Sequence, residues 1–101
     1  MNRLPMTFPN DDKIKKSLIS VVVEKTLLEI GKPEYQKVVN KLKEDYNCFL
    51  PDCYENPTYL KKVLEEIFGQ SYDVIYESIK TKLRNVESNK QINDFLKVLE
   101  K

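Results

Sequence analysis

Tyr35, Val38, Val39, Leu42 and Tyr46 fall at i, i+3, i+4, i+7 and i+11, and an α-helix is the regular structure that gathers that spacing onto one face. The residues off this stripe, Lys37, Asn40, Lys41, Lys43, Glu44 and Asp45, are polar. Similar periods recur along the chain, and proline and glycine stand where they would begin or end. Gly31 closes a first helical stretch and is expected there in the left-handed conformation that glycine takes at no steric cost. Pro33 opens the second, because a first-turn proline has no N–H to waste. Pro51 stops the second stretch. Asn56-Pro57 reads as a cap and first-turn proline for a third, carrying Leu60, Val63, Leu64, Ile67 and Phe68. Gly69 ends it. Ser71 is placed to cap a fourth, with Tyr72, Ile75, Tyr76, Ile79, Leu83 and Val86 inward. Ser88 with Gln91 resembles a capping box before a fifth, carrying Ile92, Phe95, Leu96 and Leu99.

The first helical stretch follows Asn10, Asp11 and Asp12, any of which can cap it. It is apolar on more than one face. One row holds Ile14, Leu18, Val21, Val22 and Leu28, and a second holds Ile19, Val23, Leu27 and Ile30. A helix of that kind is central, or shares a face with a partner. Residues 1–9, with Pro5 and Pro9, show no period and read as an irregular arm. The expected fold is therefore all-α: a single compact bundle of about five short helices over residues 10–101, with the arm in front. Its expected core centres on Val22, Leu42, Val63, Leu64, Ile67, Phe68, Ile75, Ile79 and Leu83.

The length of 101 residues fits one domain and not two. With 41% hydrophobic and 33% charged residues, the chain has too much apolar content to stay disordered. Histidine is absent, which removes the commonest general base and the commonest metal ligand together. The two glycines lie far apart, so no phosphate-cradling loop can be drawn. Glu44-Asp45 and Glu65-Glu66 are adjacent on helices and do not face each other. No enzyme is expected, and no cofactor. Lys and Arg number 17 against 16 Asp and Glu, so nucleic acid is not the expected partner. A DNA-binding reading would need Lys13, Lys15, Lys16, Lys80, Lys82 and Arg84 on one face, whereas the first three read as a solvated helix face. The longest apolar run, Val21-Val22-Val23, is far short of a membrane span. The N-terminal MNRLPMTFPNDD has no signal-peptide core, so the expected place is the cytoplasm and no membrane is involved.

The stretch 47-NCFLPDCYENPTYL-60 holds both cysteines and reads as a helix connector punctuated by Pro51 and Asn56-Pro57. Cys48 and Cys53 are spaced C-x4-C, which is half of a zinc site with no histidine to complete it. They read foremost as packing thiols. A redox-sensitive pair and a four-thiolate metal site shared by two chains are the alternatives. Tyr35, Tyr46, Tyr72 and Tyr76 lie on core stripes with their hydroxyls at the edge. Tyr54 and Tyr59, with Phe49, are the candidates for an interaction surface.

Residues 27–85 carry a further pattern. A leading helix ends in Leu28-Glu29-Ile30-Gly31. A striped helix closes on a short loop with Pro51. A helix ends in Ile67-Phe68-Gly69, and the next has Ile75 and Ile79 inward. In this order the elements resemble the Nitrosopumilus-type output domain, a small archaeal family. The resemblance implies an all-α output or interaction domain, found alone or with signalling modules. No catalytic residue comes with it. The function expected is a non-enzymatic, cytoplasmic protein-interaction module in archaeal signalling, acting on a protein partner or as a homodimer through the first helix. The remaining alternatives are a thiol-based sensor through Cys48 and Cys53 and a small helical DNA-binding protein.

Overall fold

The computed structural model of the chain describes residues 11–86 and 90–100. The arm over 1–9, the side chains expected to cap the first helix, and Ser88 lie outside the described residues. Five α-helices form: α1 Asp11–Ile30, α2 Lys32–Tyr46, α3 Pro57–Phe68, α4 Tyr72–Val86 and α5 Lys90–Leu99. Two 3-10 turns, Leu50–Tyr54 and Gly69–Ser71, are the other elements among the described residues. The all-α bundle read from periodicity is the observed one.

The helices close a ring in the order α1, α2, α3, α5, α4 and back to α1. All five helices contribute to one core. Ile19, Val23, Leu27, Val38, Leu42, Leu60, Ile79, Leu83, Ile92 and Leu99 are fully buried in it. The Leu50–Tyr54 turn fills the space between α1 and α3 and packs most extensively on α1. It adds Leu50 and Cys53 to the core, and Cys48 enters just ahead of it. What read as a connector is therefore a piece of the core, because its apolar side chains have no other place to leave water.

Several local expectations are corrected. Gly31 has φ 163° and ψ 151°, which is extended and not left-handed. It is a one-residue joint in which its N–H closes α1 on Leu27 O at 3.0 Å and its carbonyl accepts the first α2 bond from Tyr35 N–H at 3.1 Å. Ser71 keeps its expected place directly before Tyr72, the first residue of α4, and also closes the second 3-10 turn. Ile67 and Phe68 are half-buried at the margin of the core, because α3 ends beside them. Val86, expected inward, is 65% exposed, at the last residue of α4. Lys15, expected on a solvated face, is buried.

Two termini do need positive φ. Asn47 caps α2 at φ 49°, and the N–H groups of Asn47 and Cys48 turn back to Lys43 O at 2.9 Å and Leu42 O at 3.2 Å. Gly69 ends α3 at φ 54°. A Cβ at Gly69 would meet nothing within 4 Å, so the conformation alone excludes a side chain there. Gly69→Ala is expected to lower stability by about 1–2 kcal/mol through this backbone strain, read as a lower urea midpoint at unchanged slope. An unchanged midpoint would show that the α3–α4 corner relaxes.

Candidate functional site

Three places stand out on the molecule: the cysteine turn, the aromatic edge beside it and the outward face of α1. The cysteine turn is built by Asp52. Its Oδ2 accepts the Phe49 N–H at 3.1 Å, and its own N–H donates to Phe49 O at 2.9 Å. The Asp52 carbonyl accepts the N–H groups of Glu55 and Asn56 at 3.1 Å each and also Asn56 Nδ2 at 3.1 Å. The side chain of Asn56 therefore reaches back into the turn and does not cap α3, as the sequence suggested. Pro57 opens α3 as expected. Lys16 Nζ to Glu55 Oε1 at 2.9 Å ties the turn to α1.

Cys48 and Cys53 are buried and free. Both thiols donate to the same acceptor, Phe49 O, at 3.5 and 3.7 Å. Burial pushes the Cys53 thiol far above its ordinary range, with the Cys48 thiol and the Asp52 carboxylate adding to it. Burial also raises Cys48, partly offset by its hydrogen bond with Cys53. A reactive or metal-binding cysteine needs the opposite, a stabilised thiolate at an accessible position. Among the described residues no three Cys, Asp or Glu side chains converge as metal ligands. The geometry suits packing thiols.

The three surface candidates divide. Tyr59 stacks on Tyr46 with ring centroids 4.4 Å apart and planes 11° off parallel. Phe49 is 52% exposed and lies 5.8 Å beneath the Lys43 ammonium. These two rings flank the last turns of α2. Tyr54 is half-buried elsewhere, in a groove of about 380 Å³ lined also by Pro57, Gln91, Phe95 and Val98. The tyrosines expected at the core edge divide as well. Tyr35 and Tyr46 are half-buried, while Tyr72 and Tyr76 are buried. The Tyr72 hydroxyl is not at the edge, because it donates to Leu99 O at 2.5 Å inside the core.

The basic side chains do not share a face. Lys82 bridges to Glu29 of α1 at 2.9 Å, while Lys80 and Arg84 line the α4–α5 cleft with Asp94, Lys97 and Glu100. Lys16 is engaged at the cysteine turn.

The outward face of α1 carries part of the first apolar row, the face the sequence left open to a partner. The structure splits that row. Val22 turns inward and Leu18 is half-buried, while Ile14, Val21 and Leu28 are 53%, 59% and 43% exposed. The stripe Ile14, Leu18, Val21, Lys25 and Leu28 has spacing 4-3-4-3, the period of helices that pack along one another. Beside it, Val86, Lys82 and Asn85 of α4 form the far wall of a groove of about 300 Å³ with Leu18, Val21 and Lys25.

No family model, curated protein or solved structure matches the chain. The resemblance of residues 27–85 to an output domain therefore rests on those residues alone. No helix among the described residues is long and apolar enough to cross a membrane.

Proposed function

We propose that the protein is a non-catalytic interaction module that receives a protein partner on the outward face of α1. The observation that carries this reading is the exposed stripe Ile14–Val21–Leu28, with Val86 beside it. Apolar side chains set in a row at the helix–helix period are costly to leave in water and specific in what they pack against. The buried, protonated thiols and the absence of histidine leave no nucleophile–base pair to argue from. The cytoplasmic, signalling role implied by the resemblance belongs to the same proposal, with the Phe49–Tyr59 edge as a secondary contact.

The test places a photo-crosslinking amino acid at Val21 and irradiates the cells that make the protein. The expected result is a discrete protein adduct at position 21 and none at Glu66, which lies on α3 and bridges to Lys41 at 2.9 Å. Absence of any adduct at position 21 would overturn the reading.

A further inference from the structure

Building on that reading, we infer that the occupant of the α1 face is a second copy of this chain, with the two α1 helices antiparallel and crossing at Val21. Ile14 and Leu28 lie seven residues to either side of Val21. A two-fold axis at Val21 sets Ile14 against Leu28 of the second copy and Val21 against its own equivalent. That is the self-matching contact an isologous interface requires.

Charge decides the direction. The stripe carries one cation, Lys25, at a position that would face its own copy in a parallel pair, burying two like charges together. In the antiparallel pair the two Lys25 side chains are offset by eight residues, about 12 Å along the axis. The exposed Lys13 and Glu29 lie eight residues to either side of Val21, so the antiparallel pair sets each Lys13 level with Glu29 of the second copy. The helix dipoles oppose as well.

The size also fits. Ile14, Val21, Leu28 and Val86 together expose on the order of 400 Å² per copy, the scale of a functional patch. Doubled, the apolar part comes to about 800 Å², and with a polar rim the contact has the size of a weak, reversible interface, which calls for protein from micromolar to millimolar concentration. The α1–α4 groove beside the stripe gives the second copy's aliphatic side chains a recess to enter.

The experiment is sedimentation equilibrium of the full chain across that concentration range, for wild type, Val21→Glu and Val74→Glu. Wild type is expected to pass from monomer to dimer. Val21→Glu sets two carboxylates together at the axis and is expected to weaken the dimer on the order of 100-fold. Both positions are largely exposed, at 59% and 70%, so circular dichroism is expected to be unchanged. Val74 lies off the stripe, and its variant is expected to dimerise like wild type. A crosslinker at position 14 is expected to map to residues around Leu28 of the second copy. A monomeric wild type, a Val21→Glu dimer as tight as wild type, or a map to position 14 would each overturn the inference. A monomer that still gives adducts with another protein at position 21 overturns the dimer and keeps the proposed function. A monomer with no adduct overturns both.

Discussion

Tyr72→Ala is expected to lower stability by about 4 kcal/mol, a large share of the ~5–15 kcal/mol that holds a domain of this size. Tyr72 is 1% exposed and sits at the first turn of α4. Its ring fills the core, and its hydroxyl satisfies the Leu99 carbonyl at the end of α5. One side chain therefore fastens the last helix to the start of the one before it. Lys61 Nζ adds a contact to the neighbouring Glu100 carbonyl at 3.1 Å from α3. Tyr72→Phe keeps the ring and removes the hydrogen bond, so its expected loss is smaller, about 1–2 kcal/mol. Urea unfolding followed by circular dichroism separates the two. Equal losses from Phe and Ala would show that the ring contributes nothing beyond its hydroxyl, and the packing argument would fail.

Raising the pH from 9 to 11 is expected to remove roughly 4 kcal/mol of stability. The Cys53 thiol, ordinarily ionising at 9.0, is pushed far up by burial. The Tyr72 hydroxyl, ordinarily ionising at 10.0, is pushed up by burial and then by the nearby Glu65 carboxylate. Both groups stay protonated in the folded protein. The unfolded chain releases the thiol proton above pH 9 and the phenol proton above pH 10. The folded state then binds more protons than the unfolded state, and stability falls as pH rises. Each group contributes about 1.4 kcal/mol per pH unit beyond its ordinary value. The stabilisation is fully present below pH 9. Cys53→Ala should shrink the loss between pH 9 and 10 to the share of Cys48, whose thiol burial also raises, whatever it does to stability at neutral pH. Unfolding midpoints that stay flat from pH 8 to 11 would mean that neither group is held protonated.

The positions of the helices were legible from the chain because each signal is local. The stripe from Tyr35 to Tyr46 specifies α2 by period alone. Pro33, Pro57 and Gly69 act through their own φ and their own N–H groups. These effects need no distant partner, and the structure keeps them. Where a signal depends on what lies across the bundle, local reading failed. Asn56 looked like a cap, but its amide found a carbonyl in the preceding turn. Lys15 looked solvated because lysine usually is. The cysteine loop looked like a connector because it lacks a period, and a 3-10 turn of five residues is too short to show one.

The candidate site shows the same division. Phe49, Tyr54 and Tyr59 stand out by residue type alone, and the fold sets Phe49 and Tyr59 beside α2 but Tyr54 in a groove against α5, which residue type cannot specify. The α1 stripe was written in the 4-3-4-3 spacing, but spacing does not say which of two apolar rows turns inward.

The sequence by itself determined that this chain is helical, that α1 and α3 stop at Gly31 and Gly69, and that histidine chemistry is absent, since period, backbone preference and composition are properties of single residues and near neighbours. Only the tertiary structure decided that the helices close in the order α1, α2, α3, α5, α4, that the cysteine turn enters the core, and that Ile14, Val21 and Leu28 are left facing water. Those outcomes depend on which apolar faces compete for one buried volume. With five helices and a 3-10 turn filling that volume, the second face of α1 had no room inside.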